Sequence, residues 1–164
     1  MNYIIREVTA KDAEQIAEIY NYYILNSVAT FEEELIDPKE IQKRISNILE
    51  SGHFWFVVEY NGNLIGYSYS SLWKERVSYR FSAAVAVYLD LNFTGKGLGN
   101  KLYEALFKKL KEKNIHTVIG GITLPNEGSV ALHESFGMKK VAHFSEVGFK
   151  FGKWLDVGYW QVIL

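Results

Sequence analysis

The sequence predicts a mixed α/β fold, one sheet with helices on both of its faces, and three features of the chain point to it. Asn61-Gly62-Asn63 separates two runs rich in apolar and aromatic residues, and Asn and Gly tolerate the positive φ that a hairpin turn needs. Leu98, Leu102, Leu106 and Leu110 recur every fourth residue, the spacing of one helix face. The segments flanking that helix, Tyr79 to Leu89 and Thr117 to Ile122, carry the β-branched and aromatic residues of strands. An antiparallel run followed by such a strand–helix–strand unit implies one mixed sheet.

The remaining elements follow in order. Ile4 to Val8 reads as a first strand, and Thr9 to Asp12 opens a helix whose apolar positions Ala13, Ile16, Ala17, Tyr20 and Ile24 share one face. Asp37-Pro38 supplies a side-chain cap and a first-turn proline for a second helix, with Ile41, Ile45 and Ile48 on its inner side and an end near Gly52. Phe54 to Tyr60 and Leu64 to Ser70 are the hairpin strands. Ser129 to Phe136 reads as a short helix stopped by Gly137, and Lys139 to Phe144 and Leu155 to Leu164 as closing strands.

Composition narrows the function. The chain has 164 residues and 48% apolar content with no linker or repeat, so one domain over residues 1–164 is expected. A formal net charge of -1 offers no broad field for nucleic acid or an anionic membrane, which leaves a small partner met at a local site. The absence of cysteine removes thiolate nucleophiles and a disulfide scaffold. No segment has the length and apolarity of a membrane span or signal peptide, so a cytoplasmic protein is expected. His53, His116 and His143 lack metal-ligand spacing and read as structural, with no metal expected.

Thr94-Gly95-Lys96-Gly97-Leu98-Gly99 is the chemically distinctive segment. It joins a strand to a helix, which gathers free backbone N–H groups and the positive end of the helix dipole at one spot. Glycine lets that backbone approach phosphate oxygens, and Lys96 and Lys101 stand at the rim. The spacing fits neither the Walker form nor the dinucleotide fingerprint, and a ligand-free tight turn is the other reading of the segment alone.

In its place after a long strand, this segment resembles the acyl-CoA signature of the GNAT acetyltransferase superfamily, with Thr94 where Gln or Arg is usual. The likeness extends through Ile19 to Tyr23, Ala29-Thr30-Phe31, Trp73 to Arg76, Leu124 to Val130, Leu132 to Gly137 and Val147 to Gly158. Together these are similar to the phosphinothricin/methionine sulfoximine N-acetyltransferase branch. The resemblance implies the acyl-CoA N-acyltransferase fold, a mostly antiparallel sheet whose parallel pair splays into a V, and a likeness to homodimers. It implies acetyl-CoA as co-substrate, with the pantetheine on Val87, Tyr88 and Leu89, the pyrophosphate on Gly95, Lys96, Gly97, Leu98, Gly99 and Asn100, and Asn126 on another part of the arm. Phe31, Lys74, Arg76, Val77, Ser78 and Tyr79 match the stretch that holds the acceptor, and His133 the position that protonates the departing thiolate. His133 also suits a helix histidine bonded to a backbone carbonyl.

One position departs from the branch. The glutamate taken there as base falls on Ala84, and no carboxylate lies between Arg80 and Leu89. A water relay or backbone carbonyl, a carboxylate such as Glu32 or Glu127 from elsewhere, or weak catalysis are the alternatives, with the relay favoured. The expected function is direct acetyl transfer, in a ternary complex, to the amine of a small amino acid or analogue. Alternatives are a CoA-binding sensor or pseudoenzyme on the same fold and a protein or peptide N-acetyltransferase.

Overall fold

The structure is a computed structural model and describes residues 2–164. Its elements are β1 (Tyr3–Glu7), α1 (Ala13–Asn26), α2 (Pro38–Glu50), β2 (Trp55–Tyr60), β3 (Asn63–Leu72), β4 (Ser82–Leu89), α3 (Leu98–Glu112), β5 (Thr117–Leu124), α4 (Glu127–Ser135), β6 (Lys139–Lys150) and β7 (Lys153–Ile163). The strands form one sheet in the order β1-β2-β3-β4-β5-β7-β6. Every neighbouring pair is antiparallel except β4 and β5, which run parallel. This is the mixed sheet the hairpin and the strand–helix–strand unit imply.

Strand alternation distributes the core between two faces. From β2, Trp55 and Val57 join Ile16, Ile24, Ile41 and Ile45 of α1 and α2 in one cluster. Phe56 and Val58 turn the other way, onto Leu98, Leu102, Leu106 and Leu110 of α3. The α3 leucines are at most 1% exposed, so each contributes roughly 1.5–3 kcal/mol of apolar burial. The Asp37 carboxylate accepts from Glu40 N at 2.8 Å, the cap expected before Pro38.

Three segments differ from the sequence reading. Tyr79 does not lie in β4: Val77–Tyr79 forms a 3-10 turn, closed by Tyr79 N to Arg76 O at 2.9 Å and Arg80 N to Val77 O at 3.1 Å. Exposed residues there gain nothing from extended pairing, so β4 begins at Ser82. α4 begins at Glu127, because the Asn126 side chain caps it by accepting from Ser129 N at 3.1 Å. β6 and β7 are longer than expected and form a hairpin across Phe151 and Gly152, both at positive φ, 53° and 71°. Phenylalanine is an unusual residue for such a turn, and its side chain gives no turn signal.

His53 is 3% exposed, with Nδ1 3.1 Å from the Ser70 hydroxyl. Burial, and then Lys113, lower its pKa to about 4. The unfolded imidazole takes its proton near pH 6.5, so between pH 6.5 and 4 the unfolded chain holds a proton that the folded chain refuses. Stability is therefore expected to fall by about 3 kcal/mol as pH drops through that window. Urea midpoints measured across it test this, and His53→Asn should flatten the profile there.

Candidate active site

β4 and β5 are paired only at Ser82↔Thr117, Ala83↔Val118 and Ala84↔Ile119. Beyond Ala84 they part. β4 stays bound to β3 as far as Leu89, and β5 to β7 as far as Leu124, so each strand is held on its outer side and unpaired on its inner one. Unpaired strand edge offers N–H and C=O groups to an amide-bearing ligand. The opening is a cleft of about 500 Å³, lined by Val85 to Leu89 of β4 and Gly121 to Thr123 of β5.

The glycine segment stands at the wide end. Gly95 and Gly97 have φ of +70° and +76°, a conformation that favours glycine, and a Cβ on either would meet nothing within 4 Å. Gly97 is the residue before α3, so the first N–H groups of that helix have no intrahelical partner. The backbone here is accessible, unpaired and at the positive end of a helix dipole, which suits an anion. Asn100 gives a side-chain amide N–H to the Ser135 hydroxyl at 3.0 Å, tying α3 to α4.

The cleft gathers Val87, Tyr88, Leu89, Gly95, Gly97, Leu98, Gly99, Asn100 and Asn126 into one lining. The Lys96 side chain is not among them: its ammonium donates to Asn92 O at 2.7 Å and sits over the Phe93 ring. Lys101 pairs with Glu104 at 2.8 Å. Both rim lysines are thus engaged by their own helix or turn.

Tyr23 and Tyr103 line the cleft and were not singled out from the sequence. Tyr23 donates to Leu89 O at 2.6 Å, closing the end of β4. Tyr103 widens the leucine stripe of α3, and a stripe alone cannot tell a core aromatic from one bordering a cavity; Tyr23 lies off the apolar face read for α1.

His133 also faces the cleft, but its ring is 3% exposed and both nitrogens are used. Nδ1 lies 2.7 Å from Ser129 O, so it carries the hydrogen and donates. Nε2 is then an acceptor, 3.1 Å from the Tyr103 hydroxyl, which donates to it. Burial holds the His133 pKa below its ordinary value, against the opposing effect of the Ser129 bond. This is a neutral imidazole bonded to a backbone carbonyl, with no proton of its own free for a leaving thiolate.

Ala84 sits at the apex of the V, with Ser71 and Ile119 as neighbours across the sheet. Among the described residues that line the cleft none is a carboxylate. Glu32 is gripped by Arg44 at 2.6 and 2.9 Å and accepts from the Tyr20 hydroxyl. Arg44 holds its pKa below the usual carboxylate value, which makes it a poor base. Glu127 lies exposed in the first turn of α4.

The residues matched to acceptor binding fall outside the cleft lining. Lys74, Arg76, Val77, Ser78 and Tyr79 lie on the exposed β3–β4 connection, with Lys74 over the Trp73 ring at 5.5 Å. Phe31 lies on the α1–α2 connection, half-exposed and against Gly148. No group of three His, Cys, Asp or Glu side chains with metal-site geometry occurs among the described residues. No helix among them is long and apolar enough to cross a membrane.

A sheet that splays beside a glycine-led helix N-terminus is the architecture of an acyl-CoA-dependent acyltransferase. The family model for the acetyltransferase (GNAT) domain matches residues 5–158. The chain is 34% identical over 157 residues to a phosphinothricin N-acetyltransferase of Streptomyces viridochromogenes, covering 96% of this chain and 85% of that one. It is 31% identical to an L-methionine sulfoximine/L-methionine sulfone acetyltransferase of Salmonella typhimurium, covering 98% and 94%. A crystal structure of a phosphinothricin acetyltransferase from Sinorhizobium meliloti in complex with acetyl-CoA superposes with a TM-score of 0.96 at 33% identity, covering 100% and 89%. The chain belongs to the GNAT acetyltransferase family and is an N-acetyltransferase.

A Cβ on Gly120 would lie 2.5 Å from His133 Cδ2 and Nε2, on a strand that β7 holds in place. Gly120→Ala should displace the imidazole, break its bond to Tyr103 and destabilise the fold by about 1–3 kcal/mol. A lower urea midpoint at unchanged m-value is the expected reading.

Proposed function

We propose that the chain transfers the acetyl group of acetyl-CoA directly to the amine of a small amino acid or analogue, of the phosphinothricin or methionine sulfoximine kind. The observation that carries the proposal is the parting of β4 and β5 after Ala84, with an open glycine cradle at its wide end. One ligand suits both parts: amides for the strand edge of Val87, Tyr88 and Leu89, and a pyrophosphate for the N–H groups of residues 95 to 100. Asn126 would hold a further part of the arm. When bound, that ligand supplies an activated acetyl thioester; the chain supplies position and a route for one proton.

The net reaction forms an N–C bond, breaks a C–S bond and moves one proton from nitrogen to sulfur. With alanine at position 84 and Glu32 neutralised by Arg44, a water chain along the cleft is the favoured route from the ammonium. His133 accepts from the Tyr103 hydroxyl and so orients that hydroxyl in the cleft lining. In this reading His133 positions Tyr103, and the same water chain that takes the proton from nitrogen returns one to the sulfur. Positioning of the two reactants does most of the work, and the missing base leaves a deficit of the order of 10²- to 10⁴-fold.

For the acceptor, Lys74, Arg76 and Tyr79 offer cations and a phenol to a carboxylate or phosphinate-like group, and Phe31, Val77 and Ser78 are matched to the same role. Their exposure favours a homodimer whose second copy closes the site. Exposed Phe144, Val147, Phe149, Trp154 and Val77 support such a contact. The working location is expected to be the cytoplasm.

A free-thiol release assay over an amine panel with phosphinothricin and methionine sulfoximine, paired with calorimetry on acetyl-CoA, tests the proposal. Turnover of one of these amines is expected; tight binding without turnover on any amine would restore the CoA-sensor reading, and no binding would sink both.

The missing base has its own signature. With no protein base to fill, kcat/KM should follow the neutral fraction of the acceptor, rising about tenfold per pH unit up to the pKa of its amine. Ala84→Glu should raise kcat/KM on the low-pH side and flatten that slope. An unchanged profile in the variant would mean that another group already takes the proton.

A further inference from the structure

Lys150 closes β6 and is 1% exposed, yet its ammonium bonds no carboxylate. It donates to two main-chain carbonyls, Ser27 O at 2.7 Å and Thr30 O at 2.9 Å. Removing an ammonium from water is costly unless its N–H groups are used, and desolvation here holds its pKa below the ordinary lysine value. It also lies over the Phe151 ring, 4.9 Å from the centroid, but its hydrogen bonds go only to a loop's backbone, and they fix that loop.

The loop is the connection between α1 and α2, residues 27 to 37, which has no regular structure. Some of its anchors come from the helices it joins. The Tyr20 hydroxyl meets Thr30 Oγ1 at 2.7 Å, Arg44 holds Glu32, and the Asn21 side chain exchanges bonds with the backbone of Ile36 at 2.8 and 2.9 Å. Lys150 reaches it from a strand 120 and 123 residues further along the chain. A second contact from β6 supports the first: the Phe31 ring fills the space where a Cβ on Gly148 would stand, 2.4 Å from Cζ.

The position of this loop matters to the cleft, because Ala29 lies in its lining. The glycine cradle and Asn126 belong to α3 and α4, on the face of the sheet opposite α1 and α2. A cofactor arm entering from that side leaves the α1/α2 face for the amine. We infer that Lys150 is a positioning residue for the acceptor: it clamps the α1–α2 loop, whose Ala29 lines the cleft, as the acceptor-side wall. The kinetic half of this inference rests on the acetyl-transfer reading above; the clamp itself does not.

Lys150→Met keeps the aliphatic stem and removes the donors, whereas Lys150→Arg keeps charge and donors. In the Met variant, amide hydrogen exchange in residues 27 to 32 should accelerate about tenfold or more, the scale of losing hydrogen bonds to a charged group. The acceptor KM should rise about tenfold or more, with acetyl-CoA affinity changed less than about twofold. The Arg variant should recover most of both. Gly148→Ala, which pushes Phe31 off β6, should loosen the same amides and serves if the Met variant does not fold. Unchanged exchange in these amides overturns the clamp. Faster exchange with acceptor KM unchanged, or with acetyl-CoA affinity falling in parallel, overturns the assignment to the acceptor. Exchange is read on the protein without ligands, so the clamp is decided even if no amine is turned over.

Discussion

Two parallel strands that stop pairing after Ala84 and Ile119 impose most of what is distinctive in this molecule. Strand edges inside a protein must find partners, and here the neighbours divide the task. β3 and β7 hold the outer edges of β4 and β5 along their length, so the gap cannot close by either strand drifting inward. Tyr23 satisfies the Leu89 carbonyl at the wide end, and α3 brings its unpaired N–H groups to the same place. Under the opening, His133 and Tyr103 are bonded to one another and fit only because position 120 has no Cβ. The inner edges of the two strands are left for a ligand.

The same arrangement explains an unusual distribution of charge. Beside apolar side chains, the cleft of this enzyme is lined by phenols, an imidazole, hydroxyls, two amides and backbone, with no carboxylate among its described residues. Nearby Glu32 is tied to Arg44, and the lysines of the glycine segment are tied to Asn92 and Glu104. In the proposed reaction such a site would bind through geometry and backbone dipoles and would rely on placing two reactants together.

Helix α2 was legible because Asp37-Pro38 and the Ile41, Ile45, Ile48 spacing are both local signals, and α3 because four leucines recur at one interval. The longer β6–β7 hairpin was not, since it turns on Phe151, a residue without turn chemistry of its own. The candidate site was legible where glycine exposes backbone, at Gly95 and Gly97. The bond from the Lys96 ammonium to Asn92 O was not legible, because a lysine's reach is decided by what the turn folds it against.

By itself the sequence determined the order of elements, the place of the glycine cradle and the missing carboxylate at Ala84, because periodicity, capping residues and residue identity are local properties. Only the tertiary structure decided which side chains meet. His133 became a neutral, doubly bonded imidazole by lying between Ser129 and Tyr103. Tyr23 became a wall of the cleft, Glu32 a partner of Arg44, and Lys150 a clamp on residues 27 to 30. Each of these roles depends on groups far apart in the chain arriving within hydrogen-bond distance, and the packing of the sheet against its helices sets that distance.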